Sequence, residues 1–260
     1  SLSLFQSITM LDCDVEAPNA HLFLQPKLKG SQPATIPVPV IDQDSCILCG
    51  KCVDVCEFHA LAMLPDRILL FSQLCHGCGA CGLVCPVDAI SEKDREIGQL
   101  HWGMTSSGVH FLMGELTISE PMPTPIIRQL KNQAPANASL TIIDSPPGAS
   151  CSVVAAIHDA DFVILVTEPT PFGLHDLKQM IGVIEKTGTP AGMIINRSNI
   201  GDDTVEDYLK GSPYPILMKI PFQTEIVAGL ASGRILIEIE PGYQRKFIDM
   251  FQQIEQLGVK

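Results

Sequence analysis

Short apolar runs alternate with amphipathic stretches over most of the chain. ITMLDCD (8–14) is an apolar run that stops on two carboxylates, and SLTIIDSPPG (139–148), DFVILVTEPTP (161–171), AGMIINRS (191–198) and PILMKIPF (215–222) repeat the pattern. Runs this short, bounded by Pro, Gly, Asn and Asp, predict buried strands. LHDLKQMIGVIEKTG (174–188) and EIVAGLASG (225–233) follow two of them with helical spacing. Strand, loop and helix repeated in this way predict parallel strands with crossover helices: an α/β fold with a doubly wound, mostly parallel sheet. Ligands of such sheets bind at the carboxyl ends of the strands. Those ends carry Asp12 and Asp14, Asp144, Glu168, Asn196 and Pro221.

Residues 41–95 break the pattern. They hold few apolar runs and eight of the ten cysteines. Cys46, Cys49, Cys52 and Cys56 read C-x2-C-x2-C-x3-C, and Cys75, Cys78, Cys81 and Cys85 repeat that spacing 29 residues later. Three thiolates two residues apart curl round one face of a cubane cluster, and the fourth ligates the other cluster of a two-cluster ferredoxin. The predicted ligand sets are therefore Cys46, Cys49, Cys52 and Cys85 for one 4Fe–4S cluster, and Cys75, Cys78, Cys81 and Cys56 for the second. Zinc knuckles and disulfides are the alternatives, but structural zinc pairs are usually separated by a longer loop. Pro86 follows Cys85 as the bacterial pattern requires, while Glu57 follows Cys56. The stretches PVPVID and SEKDREIG read as the two edges of an insertion. The predicted organisation is thus a main domain of residues 1–40 and 96–260, interrupted by a small α+β bacterial-type ferredoxin domain at 41–95 whose metal binding doubles as folding energy.

Composition narrows the partners. With 260 residues, 46% of them hydrophobic, the chain can bury a full α/β core beside a small module. Its longest apolar stretches, such as FVILV (162–166), are too short to cross a bilayer. SLSLFQSITML lacks the basic start and small-residue cleavage site of a signal peptide. Thiolate-held clusters need a reducing compartment, so the expected location is the cytoplasm. A formal net charge of −12 and no Lys/Arg run predict neither nucleic acid nor membrane as a partner.

Asp12 and Asp14, in LDCDVEAPN, and Asp144, in IIDSPPG, stand where predicted strands stop. Carboxylates there can order a hydrated magnesium ion or orient a water against a phosphate; Asp in the same place also caps a following helix or turn. Pro146, Pro147 and Gly148 force a tight turn just after the acid, which puts a backbone N–H where a phosphate could be sensed.

The order LDCDVEAPN, an inserted two-cluster ferredoxin, IIDSPPGASC, IINRS and IPF resembles the MinD-type P-loop ATPases, relatives of ParA, Mrp and the iron protein of nitrogenase. More closely, it is similar to the subgroup in which a ferredoxin interrupts the ATPase fold. The resemblance covers essentially the whole chain, and it implies ATP and Mg as ligands. Asp14 would be the switch carboxylate near the attacking water and Asp144 the second catalytic acid. Asp12 would help hold magnesium through water, and Gly148 would sense the γ-phosphate. Asn196, with Arg197 beside it, would recognise the adenine edge, whose N6 and N7 match an amide; a turn residue closing a strand is the other reading of Asn196. Pro221 would line the base pocket. The resemblance further implies two subunits, a homodimer or a dimer with a paralogue. Their role would be ATP-linked electron transfer to a redox partner, or cofactor assembly on an apo metalloprotein acceptor. The alternative is a non-enzymatic electron carrier on a nucleotide-blind scaffold. The family string G-x-x-x-x-G-K-S/T does not occur here. In the family it precedes a helix whose tail SLSLF resembles, so the fold is expected to be P-loop NTPase-like but N-terminally truncated by about 20–30 residues.

Three further expectations follow. Cys13 and Cys151 read as buried or semi-buried thiols. His59 and His76, beside cluster cysteines, read as surface residues, with hydrogen bonding to sulfur the alternative. Trp102 and the apolar face of the C-terminal helix (Phe247, Met250, Phe251, Ile254, Leu257) read as packing onto the main domain.

Overall fold

The structure is a computed structural model and describes residues 7–257, so the expected helix tail SLSLF lies outside the described residues. The first elements are β1 (Ile8–Asp12), a short helix α1 (Ala20–Leu24) and the long strand β2 (Lys27–Ile41). The cysteine-rich segment follows with α2 (Lys51–Asp54), a small hairpin of β3 (Leu61–Met63) and β4 (Ile68–Leu70), and α3 (Ala80–Leu83). A second long strand, β5 (Ile90–Met104), leads back to β6 (His110–Leu116), α4 (Thr124–Asn132) and β7 (Leu140–Asp144). Strand and helix then alternate through α5 (Cys151–Ile157), β8 (Val163–Thr167), α6 (Pro171–Thr187), β9 (Ala191–Asn196), α7 (Thr204–Leu209) and β10 (Ile216–Ile220). Three helices close the described chain: α8 (Thr224–Ala231), α9 (Leu236–Ile239) and α10 (Tyr243–Gln256).

The described strands of the main domain fall into two sheets, where the apolar pattern predicted one. The larger runs β2-β5-β6-β1-β7 and the smaller β10-β9-β8. All pairs among β6, β1 and β7, and among β8, β9 and β10, are parallel. β5 is antiparallel to both β2 and β6. The exception has a local cause, since β5 returns directly from the cysteine-rich segment alongside β2 instead of crossing over through a helix. β7 ends one sheet and β8 ends the other, although α5 joins them and packs on both. Ala155 and Ala156 pack with Leu11, Ile143 and α4, while Val153 and Ile157 pack with β8, β9 and α6.

Helix signals hold where the sequence supplies a full set. α6 is capped by the Thr170 hydroxyl, which accepts the Gly173 N–H at 3.0 Å; Pro171 occupies its first turn and Gly188, at φ 69°, ends it. α10 docks on the β9–β10 face through Tyr243, Met250 and Ile254, with Phe247 and Phe251 alongside; Leu257 stays exposed.

The cysteine-rich segment is not a bead on a linker. β2 and β5 pair from Lys27 with Met104 to Ile41 with Ile90, with register shifts at Leu28/Gly30 and Ala34/Thr35, so the expected boundaries at 40/41 and 95/96 fall inside paired strands. Pro33, Pro37 and Pro39 are tolerated because β2 is an edge strand whose outer ladder is unused. Arg95 locks the ribbon to the loop after β6 by a two-pronged ion pair with Glu120, at 2.6 and 2.9 Å. Trp102 packs against the main core, as its strand position predicts.

Candidate metal centre and strand-end site

The eight cysteines gather as two rings of four, each mixing both repeats. Cys46, Cys49, Cys52 and Cys85 line one small cavity, with Ile41, Ile68, Ala89 and Ile90 among its apolar walls. Cys56, Cys75, Cys78 and Cys81 line a second, walled by Pro37, Pro39, Ala60, Leu61 and Leu70. The donor sets fit a thiolate-held cluster in each cavity. Burial pushes the Cys52 and Cys81 thiols up, so a bound cation has to supply the charge that keeps them ionised. Among the described residues no three His, Cys, Asp or Glu are gathered tightly enough for a single metal ion.

The 29-residue repeat extends to the backbone. Gly50 (φ 76°) and Gly79 (φ 74°) start α2 and α3 in the left-handed region, and His59 (φ 50°) and Asp88 (φ 52°) occupy matching left-handed turns. One residue further on, Ala60 N–H donates to Cys56 Sγ and Ala89 N–H donates to Cys85 Sγ, both at 3.3 Å. Each ring thus has one such N–H···S contact. The cysteine spacing alone did not mark these alanines, although the 29-residue shift also maps Ala60 onto Ala89. His76 stacks flat on Phe58, ring centroids 3.6 Å apart, instead of bonding to sulfur.

At the strand ends, β1 and β7 pair in register so that Asp12 stands directly beside Asp144. Asp12 is fully buried and its carboxylate accepts the N–H groups of Asp14, Asn19 and Ala20 at 3.3, 3.1 and 3.0 Å. Both Asp12 oxygens are thus engaged by the loop that carries Asp14. Asp144 is half-buried; desolvation raises its pKa, and the charges of Asp12 and Asp14 raise it further. Desolvation also raises Asp12, against the lowering effect of its three backbone donors. Beyond Asp144 the chain turns through Pro146 to an exposed Gly148 at φ 85°.

Cys13 points into the core, fully buried, with its thiol pushed up to about 12 by burial. Cys151 differs from expectation: it is exposed at the start of α5. Lys131 reaches from α4 to the last turn of α5 and donates to the carbonyls of Ala155, Ala156 and His158, satisfying groups the helix leaves open.

In the smaller sheet, Asn196 and Pro221 lie at the carboxyl ends of the adjacent strands β9 and β10. Arg197, at φ 50°, turns back to pair with Glu168 after β8, Nε to Oε1 3.4 Å. The structure adds Asn199, whose side chain holds both polar groups of the Phe222 backbone: Oδ1 accepts its N–H at 2.6 Å and Nδ2 donates to its carbonyl at 3.2 Å. Asn199 therefore fixes the loop that carries Pro221.

Residues 39–91 match the family described as the 4Fe-4S dicluster domain. The whole fold is similar to MinD, the septum site-determining protein of Pyrococcus horikoshii solved with Mg-ADP, with a TM-score of 0.55 at 17% identity over 97% of this chain and 84% of that one. The class is therefore a MinD-type α/β fold carrying a 4Fe–4S dicluster domain. Two proteins of Methanocaldococcus jannaschii, Uncharacterized protein MJ0579 and Uncharacterized protein MJ0578, are each 30% identical to this chain. The match covers 96% of this chain in both cases, and 84% and 86% of theirs. The chain belongs to the family of these two proteins. Among the described residues no helix is long and apolar enough to cross a membrane.

Proposed function

We propose that this protein is an ATP-driven iron–sulfur switch, in which nucleotide at the strand ends gates electron transfer through two 4Fe–4S clusters to a partner protein. The observation that carries the reading is a shared core. Leu11 and Cys13, on either side of Asp12, pack in the same apolar cluster as Ala60 and Cys75 of the second ring. Close-packed interiors transmit displacement instead of absorbing it. A shift of the Asp12–Asp14 segment is therefore felt where the second ring rests.

In this reading Cys46, Cys49, Cys52 and Cys85 hold one cluster and Cys56, Cys75, Cys78 and Cys81 the other. When bound, the clusters supply one-electron chemistry. Asp144 offers a carboxylate whose ionisation a magnesium ion favours. Asp14, held by Asp12, orients the attacking water, and Gly148 reports the γ-phosphate. Asn196, Arg197 and Pro221 receive the base. The phosphate cradle belongs to a parallel strand seated between β7 and β8. Support for that slot comes from β7 and β8, each an edge strand among the described residues, and from Ile164 and Val166 on β8, 37% and 64% exposed where a central strand would be covered. Two copies, or this chain and a paralogue, close over the nucleotide.

The test uses the complete gene product, iron-loaded under anaerobic conditions. ATP should accelerate oxidation of the pre-reduced protein by an electron acceptor. Asp14→Asn should lower hydrolysis about 100-fold or more, on the scale of losing a group that handles the attacking water, with iron content unchanged. Full iron content with no hydrolysis in the wild type would leave the nucleotide-blind electron carrier as the reading.

A further inference from the structure

The two rings are an internal comparison, because the 29-residue repeat makes them near copies. Their helices, left-handed glycines and N–H···S contacts match, with Ala60 and Ala89 each 3.3 Å from a ring sulfur. Hydrogen bonding to sulfur is one of the levers that sets a cluster's potential, and here it acts equally on both. Charge does not. Lys51 lines the first cavity, and the repeat puts Ala80 in its place in the second. Glu92 lines the second cavity, and the repeat puts Met63 in its place beside the first. The exchange is spatial as well as sequential: a Cβ on Gly50 would be 3.7 Å from Met63 Sδ, and one on Gly79 would be 3.2 Å from Glu92 Oε1. Neither Lys51 nor Glu92 has an ion-pair partner among the described residues.

We propose that these two substitutions make the rings electronically unequal, with the Cys46/Cys49/Cys52/Cys85 site the higher in potential and the Cys56/Cys75/Cys78/Cys81 site the lower. The inference rests on the cluster reading above, but not on the ATP reading. Adding an electron makes a thiolate-held cluster more negative. The Lys51 ammonium stabilises that form in the first ring and the Glu92 carboxylate opposes it in the second. Arg95 also faces the second ring through Cys75, but its charge is matched by Glu120. Placement gives the inequality a direction. The second ring shares the main-domain core, whereas Ile47 in the wall of the first is 61% exposed. With that order, an electron delivered by a one-electron reductant to the second site would pass to the first, oxidising one site and reducing the other with no bond made or broken, and would rest at the site whose cysteines lie outside the main-domain core.

The experiment is a redox titration followed by electron paramagnetic resonance on the iron-loaded full chain at pH 8.5, after iron and sulfide have been counted. The wild type should reduce in two separate steps. Glu92→Met should raise the lower potential and leave the upper in place. Lys51→Ala should lower the upper and leave the lower. The double variant, in which each ring carries its repeat partner's residue, should draw the two steps together. Because both side chains are exposed, raising the salt should narrow the wild-type gap without any substitution. The proposal is overturned if Glu92→Met moves the upper step, if Lys51→Ala moves the lower one, or if the gap ignores both substitutions and salt. A chain holding iron for one cluster sinks the cluster reading, and this proposal with it. A loaded chain without ATP hydrolysis sinks only the ATP reading.

Discussion

All eight ring cysteines fall between residues 46 and 85, whereas Asp12 and Asp144 lie on either side of that whole segment and meet only because β1 pairs with β7. The first site is specified locally. Its donors recur at a spacing that suits a cubane, and its own apolar cluster is small: Cys52, Leu61 and Ile68 are the buried members. The second is specified by topology and rests on a core with several completely buried residues, Ile97, Leu100, Ile126, Ile127 and Leu130 among them. A local site can depend on its ligand for stability; a topological site depends on its sheet.

The largest expected effect separates the two. Chelating the iron should leave residues 42–89 without most of their folding energy, while the parallel strands keep theirs. Hydrogen exchange followed peptide by peptide should show fast exchange across α2, the β3–β4 hairpin and α3, with β1, β6 and β9 still protected. Protection lost in both regions together would mean that the module and the sheet fold as one cooperative unit, and the contrast drawn above would be wrong.

The converse perturbation comes next. Ile126→Ala, in the fully buried face of α4, should lower main-domain stability by about 2–5 kcal/mol, the range for truncating a core aliphatic. Urea unfolding followed by Trp102 fluorescence reads this directly, since the chain has one tryptophan and it borders that core. Iron content of the folded variant should be unchanged. Loss of iron in the native baseline would show that the rings need the main core as much as it needs itself.

A smaller effect tests the strand-end charges. The folded pKa of Asp144 lies above the ordinary 3.8, chiefly through desolvation. Its favourable contribution is therefore complete below 3.8 and is lost as pH rises through the raised value. Asp144→Asn should raise Tm at pH 8 by about 2–4 °C, the range that one kcal/mol spans in a domain of this size. The advantage should shrink as pH falls towards 3.8. Magnesium should raise the wild-type Tm more than the variant's. A variant less stable than the wild type at pH 8 would mean that the Asp144 carboxylate has a stabilising partner, not two like-charged neighbours.

How much was legible in the sequence follows the same division. The cysteine spacing named both rings, including the exchange of the fourth ligand, because a metal framework is coded by intervals along the chain. The apolar runs located β1 and β7 through β10, because each of these strands is a largely apolar stretch along the chain, even where Ile164 and Val166 on β8 are exposed. Strand order left no such record. The split between β7 and β8 and the antiparallel return of β5 depend on which edges pair, and apolar periodicity reports only which faces are buried. Asp12 shows a finer limit. Its position at a strand end was visible, but the path of residues 13–20, which turn back to place three N–H groups on its carboxylate, was not.

Asn199 lies beyond what spacing could reveal, and it carries the smallest effect. Nothing in NRSN separates Asn196 from Asn199 as the working amide, yet Asn199 holds the Phe222 backbone at both polar groups while Asn196 stands at the end of β9. Asn199→Ala removes two hydrogen bonds at an exposed loop, where water replaces most of what is lost, so stability should fall by only about 0.5–1.5 kcal/mol. The informative readout is elsewhere. Pro221 adjoins Phe222, so freeing that backbone loosens the loop on the base side without touching either carboxylate or either ring. Adenine nucleotide affinity of the complete protein should weaken several-fold, while iron content and both reduction steps stay where they are. If affinity is unchanged while Asn196→Ala abolishes it, the loop after β10 takes no part in holding the base, and the strand-end site is confined to β1, β7 and β9.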